Sequence, residues 1–137
     1  MPAITTAKWL PGHLAQAIAD EAAAPHSTPL AQAKLFQLLV DSGYSELEIG
    51  EMFGEGPEAV CHRLGLLALI PEGQSLADRR VLPADLGYYI GCLSPENQQL
   101  MISRWRTGGF SSSGHAERYA CALIRDENSA TRGAATT

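Results

Sequence analysis

The stretch from Ser45 to Leu69, SELEIGEMFGEGPEAVCHRLGLLAL, constrains the fold more than any other part of the chain. Ser45 is a good helix N-cap, and Glu48 three residues later completes a capping box. Ile49 and Phe53 are four apart and share a helical face. Gly50 lacks a side chain where a second helix would cross closely. Gly54 suits a left-handed helix end. Pro57 fits the first turn of a new helix, where no backbone N–H bond is lost. Val60, Leu64 and Leu67 follow at spacings of four and three, again on one face. Two short helices joined by a glycine turn, with these apolar offsets, form the pattern of a helix-turn-helix. An ordinary helical hairpin packed into a core has the same local signals.

The rest of the chain reads as helix as well. Trp9 and Leu10 precede Pro11, and Leu14, Ile18 and Ala22 are expected on one face of an Ala-rich helix ending near Ala24. The breaker PHSTP, Pro25 to Pro29, is expected to act as a linker. The first helix then either docks on the domain or exchanges onto a neighbouring molecule. Leu30 to Ser42 is expected to be helical, with Leu35, Leu38 and Leu39 on its apolar face and Gly43 ending it. Tyr44 is placed to staple the helix that starts at Ser45. The helix-turn-helix is expected to stop before Pro71, and Gly73 to Arg80 to form one or two short turns. Pro83 opens a segment that packs Leu86, Tyr89 and Ile90. Ser94-Pro95-Glu96 is a strong helix start, leading to Leu100, Met101, Ile102 and Trp105. A last helix begins near Ser112 or Ser113 and carries Tyr119, Ala120, Leu123 and Ile124. Nothing alternates in the manner of a strand. The expectation is an all-α protein: residues 1–28 an N-terminal helix and linker, 29–125 a helix-turn-helix followed by a small helical subdomain, and 126–137 a disordered tail.

Composition sets the function classes. With 137 residues, 45% of them apolar, the chain is long enough for one real core. Its apolar runs are too short to span a bilayer, and the start lacks a secretory pattern. Cys61, Cys92 and Cys121 are widely spaced and odd in number, which fits reduced thiols in a cytoplasmic protein. The net charge of −5 is unfavourable for a partner made of phosphate. It is unevenly spread, however. Up to Glu72, three basic residues (Lys8, Lys34 and Arg63) stand against nine acidic ones, and from Gly73 onward seven arginines face six acids.

From Pro29 to about Ile124 the order of pieces resembles the central helix-turn-helix domain of the ParB/Spo0J/KorB plasmid and chromosome partition family. The residues that carry the likeness are PLAQAKLFQLL, the helix-turn-helix itself, LGLLALIPE, VLPADLGYYIGCLSPENQQLMISRW and GFSSSGHAERYACALI. Leu66-Leu67-Ala68-Leu69-Ile70-Pro71 and Gln98-Gln99 are the most specific. The resemblance covers about two-thirds of the chain. It implies double-stranded DNA as a partner, with a role in partition or transcriptional repression. Nothing before Pro29 resembles the family's CTP-binding domain, and nothing after Ile124 its dimerisation domain, so neither clamp closure nor nucleotide hydrolysis carries over.

In such motifs the leading residues of the second helix face base edges. Here these are Pro57, Glu58, Cys61, His62 and Arg63. Arg63 is the strongest candidate for base readout and His62 the next, since bidentate donors suit base edges. Glu58 can accept from a cytosine amino group but repels phosphate, as do Glu46, Glu48, Glu51 and Glu55. Arg79, Arg80, Arg104 and Arg106 are candidates for phosphate contacts, and each pair also reads as solvated surface. Arg118 and Arg125, seven apart, either extend that patch or pair with Glu117 and Asp126. Trp105 is expected in the core. No nucleophile, base and orienting group come together, so no enzyme activity is expected. The cysteines and histidines lack paired-ligand spacing, so no metal and no cofactor is expected. A two-fold DNA site would need a homodimer, for which the N-terminal helix is the spare element. The competing reading is a diverged module that binds a protein partner, or imitates DNA, through its acidic front.

Overall fold

The computed structural model describes residues 8–136, and the side chains of residues 8–130. Among them are eight α-helices and no strand: α1 Gly12–Ala23, α2 Pro29–Asp41, α3 Glu46–Phe53, α4 Pro57–Gly65, α5 Pro71–Asp78, α6 Ala84–Gly91, α7 Pro95–Arg106 and α8 Ser113–Thr136. A 3-10 turn, Leu66–Ala68, follows α4.

Local chemistry sets most boundaries. Thr28 caps α2 by accepting from the Ala31 N–H, with Pro29 at the first helical position. Gly43 ends that helix at φ 101°, a conformation glycine adopts without a Cβ penalty. Ser45 and Glu48 form the expected capping box on α3. Ser94 caps α7 through the Asn97 N–H, with Pro95 next.

Two clusters of apolar side chains fill the interior. The first joins α1 to α4 through Ala15, Ala19, Ala22, Phe36, Leu39, Tyr44, Ile49 and Val60. The second, larger one begins in the 3-10 turn with Leu66 and takes in Leu69, Leu76, Leu82, Leu86, Ile90, Met101, Ile102, Ala116 and Ala120. Each fully buried leucine or isoleucine contributes about 1.5–3 kcal/mol by leaving water. α4 bridges the clusters: it packs on α2 and α3 on one side and on α6 on the other. The α4–α6 crossing is close because Gly65 and Gly91 meet there. A Cβ on Gly91 would lie 2.7 Å from the Gly65 carbonyl oxygen.

Several sequence expectations are corrected. The face of α1 that docks is Ala15, Ala19 and Ala22, while Leu14 is 45% exposed. Three methyl-sized side chains let the helix lie close against α2 and α3, which a leucine face would hold off. On α2 the buried residues are Ala33, Phe36 and Leu39, and Leu38 is exposed. Residues 71–78 form a full helix, α5, rather than short turns. α8 continues through the segment 126–136 that was expected to be a disordered tail, and Glu127 ties it to the start of α7. α1 docks in cis: Gln16 donates to the Met52 carbonyl at the end of α3, Gln32 donates to the Ala22 carbonyl, and Tyr44 donates to the Leu10 carbonyl. No helix among the described residues is long and apolar enough to cross a membrane.

Candidate nucleic-acid interface

The candidate site is built on α3, α4 and the three residues between them. Gly54 adopts φ 88°, and the N–H groups of Gly54 and Glu55 both donate to the Gly50 carbonyl. Gly50 is buried against this turn, and a Cβ there would sit 2.6 Å from the Glu55 carbonyl oxygen. The turn is therefore wrapped over Gly50, and this close wrap sets the direction in which α4 leaves. Val60 is fully buried on the inner side of α4. Gly54, Glu55, Gly56, Pro57 and Glu58 are all exposed. The shaft of α4 is fixed on three helices while its leading turn protrudes.

His62 lies one turn behind Glu58. Its Nδ1 is 2.6 Å from Asp85 Oδ1 at the start of α6, and its ring lies 4.7 Å from that of Tyr88, tilted by 30°. Cys61 is half-buried beside it. The thiols of Cys61 and then Cys92 raise the Tyr88 phenol above its ordinary value, through the negative charge they would carry when ionised. Burial foremost pushes the Cys92 thiol up. Among the described residues no cluster of three or more His, Cys, Asp or Glu side chains is placed to hold a metal ion.

The structure brings only part of the expected cationic set near α4. Arg63 turns to α2 and donates from Nε to Gln32 Oε1 at 3.1 Å. Arg79 is exposed at the C-cap of α5 and has no side-chain hydrogen bond or ion pair with any described residue. Arg80 takes φ 60° and donates from Nη2 to the Ser27 carbonyl just before α2, at 3.2 Å. Arg63 and Arg80 are thus both tied to the N-terminal end of α2 and its approach. Arg104 is not turned to water: it lies 4.5 Å from the Phe110 ring and 4.7 Å from the Tyr119 ring, and donates to the Gly109 carbonyl. Arg106 pairs with Glu72 at the start of α5. Trp105 packs on the second cluster and donates to the Val81 carbonyl. Arg118 and Arg125 share a face, lining a shallow depression of about 430 Å³ with Tyr89 and Cys121, and neither is ion-paired with Glu117 or Asp126.

Sequence reasoning missed Asp85, Tyr88 and Gln32, the residues that orient His62 and Arg63. Asp85 and Tyr88 are three apart, so they share the flank of α6 beside its Leu86–Ile90 core face. That much is in the spacing. Which helix the flank meets depends on the Gly65–Gly91 crossing, which joins residues far apart in the chain. Compared with known protein families and with curated proteins, the chain matches none.

Proposed function

We propose that this chain is a helix-turn-helix protein that binds double-stranded DNA in the manner of the ParB/KorB central domain, in plasmid or chromosome partition or in transcriptional repression. The observation that carries the reading is the leading turn of α4, with Gly54 to Glu58 exposed on a helix held by α2, α3 and α6. A helix held this way can place its N-terminal residues in a major groove. Pro57, Glu58, Cys61 and His62 would face base edges, and Arg63 would reach the groove only by leaving Gln32. Arg79 is the readiest phosphate contact. Arg106 is next, because an exposed ion pair such as Arg106–Glu72 is worth only about 0–1 kcal/mol. With so few phosphate contacts, affinity should be weak and log K should fall against log salt with a slope of roughly −2 to −3. Anisotropy of a labelled duplex, titrated over a salt series, tests this. Retention that declines with such a slope supports the reading, and no binding at the lowest salt refutes it.

A second reading is favoured by a specific observation. Glu46, Glu51, Glu55 and Glu58 are exposed on α3, the turn and α4, together with Leu47 at 57% exposure. A basic protein partner would suit that front. Reversing Glu51, Glu55 and Glu58 to lysine separates the two: it should strengthen binding to a duplex under the first reading and abolish binding to a basic partner under the second. A homodimer would have to use the outward side of α1, where Leu14 is exposed, because its alanine face is covered in cis.

A further inference from the structure

We propose that His62 is a base-reading residue whose hydrogen-bonding sense is fixed by Asp85 and inverted by protonation. The inference rests on the DNA reading above and names a residue that sets its specificity. The Asp85 carboxylate can only accept, so the 2.6 Å contact places a proton on His62 Nδ1. The Tyr88 ring against the imidazole holds its plane. A ring constrained at one nitrogen by a carboxylate has its tautomer and orientation set, as in carboxylate-held histidines generally. Nε2 has no hydrogen-bond partner among the described residues, yet the one buried unpartnered side-chain polar atom is Ser27 Oγ. Nε2 is therefore not sealed in the interior; it belongs to a side chain 25% exposed, one turn from the exposed Glu58 on α4.

The chemistry follows from the fixed tautomer. In the neutral ring Nε2 carries a lone pair and accepts, which matches the amino groups of adenine N6 or cytosine N4 in the major groove. In the protonated ring Nε2–H donates, which matches guanine N7 and O6. The groups that face His62 are Asp85, Tyr88 and Tyr89 on α6. On α4 its neighbours are Glu58, Cys61 and Arg63, the last turned away to Gln32. The 3-10 turn carries no titratable side chain. Lys34 and Asp41 of α2, and Glu46, Glu48 and Glu51 of α3, make no hydrogen bond or ion pair with His62.

Two measurements test the inference. Long-range proton–nitrogen NMR of the free protein should find neutral His62 protonated at Nδ1; a proton at Nε2 instead overturns it, whatever happens with DNA. Selection from a random duplex library is then run at about pH 8 and about pH 6, the lower value kept above the isoelectric point of ≈ 5.3. One position should change from adenine or cytosine to guanine, by roughly twofold to tenfold. His62→Ala should bind the selected duplex more weakly, and its residual binding should show no change of base between the two pH values. Duplex bound with the same base at both pH values overturns this inference and leaves the DNA reading standing. Duplex bound at neither pH overturns both.

Discussion

Gln98 is 3% exposed and makes three hydrogen bonds: its Oε1 accepts from the Ile70 N–H, and its Nε2 donates to the Ala68 and Leu93 carbonyls. It links the exit from the 3-10 turn to the loop before α7. Gln98→Leu keeps the volume but strands those backbone groups, each worth about 1–3 kcal/mol when left buried and unpaired. The expected loss is about 3 kcal/mol, read as a lower urea midpoint. Glu127 shows a pH effect at the same scale. The Asn97 amide foremost, together with the Ser94 N–H, holds its carboxyl below the usual range. A lowered carboxyl value stabilises the fold above the unfolded-state value of about 4.3, and that contribution is lost as pH falls through the lower folded-state value. Glu127→Gln should therefore cost stability at neutral pH, by about 1 kcal/mol or less for a half-buried group. The difference from wild type should shrink on acidification, as followed by urea denaturation at neutral and acid pH.

Among the elements, the α3–turn–α4 unit tests most sharply. Gly50→Ala would push a methyl group to 2.6 Å from the Glu55 carbonyl oxygen and 3.0 Å from the Gly56 carbonyl carbon. Both are backbone atoms, so the turn itself has to move, at about 1–3 kcal/mol. Gly91→Ala should cost a similar amount by prising α6 from α4. Gly56→Ala, with nothing within 4 Å of its Cβ, meets no clash and should cost only the poorer N-cap that alanine gives α4, less than either of the other two. This unit was also the most legible part of the sequence. Its capping box, Gly54 and Pro57 act over three or four residues, and such signals need no knowledge of the rest of the fold. The docking face of α1 was legible only in part. Hydrophobicity points to Leu14, Ile18 and Ala22; Ala22 is buried and Ile18 packs beside it, whereas Leu14 is exposed and Ala15 and Ala19 take the closest contact, a choice only the shape of α2 and α3 makes. The extent of α8 was hidden for a related reason: Asp126 onward is small and polar, and its anchor, Glu127, pairs with Ser94 and Asn97 more than thirty positions earlier.

On the scale of the whole molecule, an acidic four-helix portion, α1 to α4, is joined to a portion richer in arginine. The sequence showed this imbalance of charge. It did not show where each guanidinium goes, because Gln32, Ser27, Phe110, Tyr119 and Glu72 become its partners only through tertiary packing. What was readable of the site is therefore its protruding backbone, and what was not is the set of side chains that charge it. The central claim is that duplex DNA meets this chain at the leading end of α4. The most direct measurement is an amide chemical-shift titration of the full-length chain with duplex DNA at low salt. The account predicts the largest shifts at Gly54, Gly56, Glu58, Cys61, His62, Asp85 and Arg79. Shifts confined to α1 and α8, or none at all, would contradict it.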